Sequence, residues 1–263
     1  KGDYVDGGLL FGPPIVAFGL QFTLVQHLAF APALSALALG IIYMLLARVL
    51  SGGRTVLLAE TCLALGVIFA SLAIPLGLDA RWTAAAWAVE GAGIFWLGLR
   101  QQRLLARGFG LLLQLGAALA FLSELEAGEH TLLEGAPLGA LLLGVALLFS
   151  FWQLRKAGDE QVSGWERYGL PVLAGLGLGC LYLLAPLLLS INGTAISWAL
   201  AGAVTLFVGL HIASRTFLFA GLAVQVLGGA LLLWWAPWID EEWPAFRHLA
   251  FWAPMLVGLA AFV

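Results

Sequence analysis

Three side chains in this sequence carry polar chemistry into long apolar runs: Glu90, Glu60 and Gln114. Glu90 falls near the middle of its run. A charged carboxylate at the centre of a membrane helix costs about 2.5–3.5 kcal/mol on insertion scales, so such a group should face protein or water. Two roles fit it: a proton-coupled or substrate-binding carboxylate, or a protonated acid hydrogen-bonded between helices. Glu60 lies one or two turns into its run, within reach of snorkelling to the surface or of pairing with Arg54. Gln114 enters its run from the same side. At a rise of about 1.5 Å per residue the three differ in depth by only several ångströms. If their helices pack together, they form one polar cluster in one half of the membrane.

These residues matter because of what surrounds them. Ten apolar runs fill almost all of the 263 residues, and nearly every charge sits in a short gap between them. The runs lie near 8–25, 32–47, 55–78, 82–99, 108–125, 137–154, 168–189, 195–212, 217–235 and 249–263. About 20 apolar residues span a hydrocarbon core of roughly 30 Å as a helix. Hydrophobic residues make up 62% of the chain and charged residues 10%, where a soluble domain carries about 25% charged. The runs are continuous, without the period-two alternation of barrel strands. The expected fold is therefore all-α: a polytopic transmembrane bundle of about ten spans, one membrane domain over 1–263, with the lipid bilayer as its principal partner.

Lys and Arg orient the bundle. Nine of the twelve lie in the gaps after even-numbered runs, among them Arg48, Arg100, Arg103, Arg107, Arg155 and Lys156. The opposite gaps hold the acidic groups Glu124, Glu126, Glu129 and Asp240, Glu241, Glu242. The positive-inside rule then turns the amino terminus away from the cytoplasm. Trp82, Trp234, Trp235, Trp238 and Trp243 gather at the outer boundary, as an aromatic belt requires.

Sliding the chain by 111 residues superposes two segments without a gap. Pro75 meets Pro186, Trp87-Ala88 meets Trp198-Ala199, Gly91-Ala92 meets Gly202-Ala203, and Gln114 meets Gln225. The offset covers four helices, an even number, so the two copies, near 55–165 and 166–263, are parallel rather than inverted. Glu90 has Ala201 as its counterpart, so the duplicated scaffold does not itself need a carboxylate there. Gln225 reads as interhelical glue and His211 as an interfacial residue.

Several function classes are excluded or unsupported. There is no Gly-Lys-Ser/Thr phosphate loop, no Gly-x-Ser-x-Gly elbow, and no His/Cys cluster at metal spacing, so no catalytic residue, metal or cofactor is expected. Cys62 and Cys180 fall inside apolar runs and read as packing groups. A formal net charge of −3 gives no footprint for nucleic acid.

The stretch Trp82-Thr83-Ala84-Ala85-Ala86-Trp87-Ala88-Val89-Glu90-Gly91-Ala92, followed by Trp96-Leu97-Gly98-Leu99-Arg100, resembles a hallmark of a family of large predicted inner-membrane proteins, domain of unknown function 2339. Tyr4-Val5-Asp6-Gly7-Gly8, Phe11-Gly12-Pro13-Pro14 and Ala73-Ile74-Pro75-Leu76 are similar to it as well. The resemblance implies a bacterial cytoplasmic membrane and a longer parent chain that supplies further spans and an extra amino-terminal region. It brings no activity or catalytic residues to carry over. The opening Lys1-Gly2-Asp3-Tyr4 and the stop at Val263 inside an apolar run agree with a piece of something longer.

The leading functional expectation is transport or translocation of a small solute or an envelope precursor, with Glu90 on a polar path. A membrane-embedded transferase acting on a lipid-linked substrate is a second reading, and a non-catalytic scaffold a third.

Overall fold

The computed structural model describes residues 3–50, 56–78, 80–123, 125, 136–158 and 161–235. Among these residues every regular element is an α-helix: α1 (Asp3–Val25), α2 (Ala31–Leu50), α3 (Val56–Gly77), α4 (Ala80–Arg100), α5 (Leu104–Ser123), α6 (Ala136–Lys156), α7 (Gly164–Leu188), α8 (Ile191–His211) and α9 (Arg215–Trp235). Nine of the ten apolar runs coincide with these helices; the tenth, 249–263, lies outside the described residues, as do the acidic gaps around Glu129 and Asp240.

Seven helices, α2, α3 and α5 to α9, are long and apolar enough to cross a membrane. Their outward faces carry large apolar side chains in the open, such as Leu105 at 89% and Val49 at 80% exposure. In water such a surface would aggregate, whereas hydrocarbon wets it. The protein is thus a multi-pass membrane protein. The helix α4 is long enough to span but falls outside the apolar set, because Glu90, three glycines and the amphipathic indoles of Trp82, Trp87 and Trp96 lower its hydropathy.

Several helices begin earlier than hydropathy alone predicts. The run expected from 108 starts at Leu104, and the run expected from 168 starts at Gly164. Polar residues at membrane boundaries stay helical when their backbone groups are capped. At α7, Ser163 is the N-cap and its backbone N–H donates to Glu166 Oε2 at 2.9 Å. Ser163 and Glu166 thus occupy the two ends of a Ser-x-x-Glu capping pattern.

The chain forms two compact units, Lys1–Thr83 and Ala84–Val263. In the first, α2 and α3 cross where Gly40 faces Gly66. A Cβ on Gly40 would lie 3.0 Å from the Gly66 carbonyl oxygen, so only glycine permits the approach. Phe18, Ala36, Leu65 and Phe69 form the core of this unit. The Phe69 ring meets Phe18 edge-on at 5.3 Å and stacks on Tyr43 at 5.9 Å.

In the second unit the core runs through Ala88, Phe95, Ala140, Leu143 and Ala174, all fully buried. Three further helix pairs cross at facing glycines: α4–α5 at Gly91 and Gly110, α6–α7 at Gly144 and Gly177, and α8–α9 at Gly202 and Gly221. The same local geometry recurs 111 residues apart. Thr83 Oγ1 donates to the Leu78 carbonyl, and Thr194 Oγ1 to the Leu189 carbonyl, each at 3.4 Å. Gln102 (φ 56°) and Ala213 (φ 49°) take the left-handed conformation that ends α4 and α8. Each turn is closed by a six-to-one bond, Arg103 N to Gly98 O at 3.0 Å and Ser214 N to Gly209 O at 2.9 Å.

Candidate functional site

The residue that sequence reasoning placed first, Glu90, stands eleventh of the 21 residues of α4 and is half-buried. The next residue, Gly91, is the contact point with α5. A Cβ on Gly91 would sit 2.6 Å from the Gly110 carbonyl oxygen and 3.0 Å from Gln114 Cγ. The α4 backbone therefore lies directly against the Gln114 side chain, and Glu90 and Gln114 belong to neighbouring levels of the same crossing.

Gln114 is 2% exposed, and its amide nitrogen donates to Ser150 Oγ on α6 at 2.7 Å. The Ala146 carbonyl lies 3.5 Å from the same nitrogen, at the limit of a hydrogen bond. Ser150 is fully buried. This pair ties α5 to α6 inside the packed bundle, where no water competes for the amide. Gln114 Oε1 is buried and accepts no hydrogen bond.

Glu60 is different. It is the fifth residue of α3, exposed on its helix, and belongs to the unit Lys1–Thr83, whereas Glu90 and Gln114 belong to Ala84–Val263. Its expected partner Arg54 lies outside the described residues. His211 closes α8 and is exposed. Gln225 packs against Gly202 through its Cγ, as Gln114 does against Gly91.

Sequence reasoning missed an ion pair. Arg107 in the first turn of α5 and Glu166 in the first turn of α7 meet at 3.2 Å, with side chains 6% and 1% exposed. Arg107 Nη1 also donates to the Gln161 carbonyl at 2.8 Å. Glu166 Oε2 further accepts from Ser163 Oγ at 2.7 Å. The glycine at 98 makes room, since a Cβ there would come within 2.8 Å of Arg107 Cγ. The available signal was the Ser163-x-x-Glu166 cap together with Gly98, nine residues before the arginine. Both charges were taken for gap residues, and so went unpaired.

Another buried network joins α7 to α8. The Tyr182 hydroxyl donates to Thr205 Oγ1 at 2.8 Å, and Thr205 Oγ1 donates to the Ala201 carbonyl at 2.7 Å. Ala201 is the counterpart of Glu90 at the offset of 111. The two positions thus differ in kind: a carboxylate on α4, and on α8 a backbone carbonyl engaged by a threonine.

Among the described residues no three of His, Cys, Asp and Glu gather closely enough to hold a metal ion. A family model described as a predicted membrane protein, domain of unknown function 2339, matches residues 1–174. No curated protein and no solved structure matches the chain.

Proposed function

The chain belongs to the family of predicted membrane proteins known as domain of unknown function 2339, and from that premise we propose that it moves a small solute or an envelope precursor through the membrane, with Glu90 as the working carboxylate. The observation that carries this reading is the place of Glu90. It sits half-buried at the midpoint of α4, which among the described helices α2 to α9 is the one not apolar enough to span on composition alone. An ionisable group held at that depth is by default a functional group in a membrane protein. Gln114 contributes an amide at the adjoining level of α5, and Glu60 a second carboxylate near one end of α3.

The setting we infer is the bacterial cytoplasmic membrane, with the amino terminus of this piece on the outer side. It is supported by the bias of Lys and Arg toward alternate gaps. We read the bundle as two parallel copies of a four-helix unit. Support comes from the paired Thr83 and Thr194 bonds, the paired left-handed turns at Gln102 and Ala213, and the paired glycine crossings. The Gly40–Gly66 and Gly144–Gly177 crossings support extending the correspondence to α2 and α6, with Gly66 and Gly177 at the offset of 111 and Gly40 and Gly144 at 104. The copies are then better drawn as α2–α5 and α6–α9 than as 55–165 and 166–263.

The test is proton movement in liposomes that contain the protein and a trapped pH-sensitive dye, under an imposed potassium diffusion potential. Proton entry should fall several-fold in Glu90→Gln relative to wild type, with equal protein inserted. Equal entry in both would remove Glu90 from the mechanism and favour a scaffold, in which changes at Glu90, Glu60 and Gln114 alter stability alone.

A further inference from the structure

The flank of α5 that α6 covers has a counterpart on α9. At the offset of 111, Gln114, Ala118 and Phe121 become Gln225, Gly229 and Leu232. On α5 the flank is sealed. Gln114 is 2% exposed and donates to Ser150, Ala118 packs on the core, and a Cβ on Gly139 of α6 would lie 3.9 Å from Phe121 Cβ. On α9 the flank stands more open. Gln225 is half-buried, and a Cβ on Gly229 meets nothing within 4 Å. Among the described residues Leu232 shares its core cluster with one other buried side chain, Ala195. An amide set among small and apolar side chains suits the close approach of another helix better than contact with lipid tails.

Which helix covers it follows from the order of the chain. The tenth apolar run, 249–263, comes after α9 as α6 comes after α5. Toward α5, α6 presents Gly139, the Ala146 carbonyl and Ser150, and Leu143 completes that face at helical spacing. Carried forward by 111, the face reads Ala250, Pro254, Val257 and Ala261. It is the least bulky face of the run. The other faces bring Leu249 and Leu256, Phe251 and Met255, or Trp252 and Leu259. The repeat offset and the small side chains that close helix packing favours therefore select the same face.

We propose that the run 249–263 docks as a helix on the α9 flank formed by Gln225, Gly229 and Leu232, as α6 docks on α5. Ala250 lies against Leu232, and Val257 and Ala261 come to Gln225. The Gln225 amide donates to the Val257 carbonyl, since Ala261 brings no hydroxyl to the place that Ser150 holds beside Gln114. The second copy is thus closed by the run that follows it, and α9 becomes an interior helix of the bundle instead of its edge. The proposal rests on the two-copy reading and needs nothing of Glu90.

The experiment uses the whole chain in membranes, with Cys62 and Cys180 replaced by alanine. A protease site is set within 236–248, so that the cut pieces stay joined only where oxidation has bridged them. Phe121→Cys with Gly139→Cys, cut within 124–135, is the reference pair; its Cβ spacing of 3.9 Å suits a disulfide, which needs about 3.8 Å. Leu232→Cys with Ala250→Cys should bridge to a similar extent, and several-fold more than Leu232→Cys with Trp252→Cys. Gln225→Cys and Ala261→Cys, joined by a short bifunctional thiol reagent, serve if the Leu232 variant folds poorly. A bridged reference with neither α9 pair bridged would overturn the docking. Bridging through Trp252→Cys in place of Ala250→Cys would overturn the face, and with it the two-copy register carried to this run. Bridges that join two chains instead of one would give the flank to a second copy and overturn the proposal equally.

Discussion

Trp198 Nε1 donates a 2.8 Å hydrogen bond to the carbonyl oxygen of Tyr182. That oxygen is the one Pro186, four residues further along α7, cannot engage, since proline has no N–H. An indole from α8 thus repairs the break that a proline makes in α7. The repair explains how a proline is tolerated inside a membrane helix, where an orphaned carbonyl finds no water.

Removing the donor should expose that debt. Trp198→Phe is expected to destabilise the protein by about 1 kcal/mol, within the measured range for interhelical hydrogen bonds in membranes. Adding Pro186→Ala to the same variant restores an N–H for the Tyr182 carbonyl and should recover part of the loss. Reversible unfolding in mixed micelles, run as a double-mutant cycle, reads the coupling. Strict additivity of the two changes would contradict the repair.

The Arg107–Glu166 pair predicts an asymmetry between single and double replacement. Glu166→Leu strands a guanidinium that is 6% exposed and should cost about 3–5 kcal/mol. Arg107→Met combined with Glu166→Leu removes both charges and should be much less damaging than either single change. The same unfolding assay decides it; a double variant as unstable as the sum of the singles would show that packing, not pairing, is at stake.

Two glycines two residues apart on α4 should respond in opposite ways. Gly91→Ala pushes a methyl against the Gly110 carbonyl at 2.6 Å and should cost about 1–3 kcal/mol by forcing α4 and α5 apart. A Cβ on Gly93 meets nothing within 4 Å, so Gly93→Ala should be neutral or slightly stabilising through helix propensity. Melting temperatures of the two variants in one detergent provide the comparison.

Side-specific labelling tests whether α4 crosses. Cysteines introduced at Leu78 and at Gln102, both exposed and on either end of α4, should react with an impermeant maleimide from opposite sides of sealed vesicles. The native Cys62 is buried and Cys180 partly so, and their replacement by alanine gives a clean background. Labelling of both positions from one side would make α4 a re-entrant or surface helix.

The order and approximate place of the nine described helices were legible because a bilayer imposes one strong rule, about 20 apolar residues per crossing. Nothing in the chain competes with that rule across α2, α3 or α6 to α9. The ends were less legible. Hydropathy treats Arg107, Trp165 and Glu166 as gap residues, while capping and close packing keep them helical. The polar pairs followed the same division. Gln114 was recognisable as a buried amide, but Ser150 was not, because serine is too common in membrane helices to mark a partner. Arg107 and Glu166 are 59 positions apart, with the lengths of α5 and α6 between them, so only the fold brings them together. Glu60 drew attention by its charge, yet exposure on its own helix sets it apart from a buried carboxylate.

The dilute apolarity of α4 bears on how the chain is made. A segment with Glu90 at its midpoint partitions poorly from the translocon when it emerges alone. Its contact with α5 through Gly91 and Gly110 offers the remedy, since a tightly apposed hairpin adds the apolar α5 leucines to the surface that meets the lipid. Biogenesis would then proceed through a pause, in which α4 waits at the protein-conducting channel until α5 has been synthesised and the two enter together.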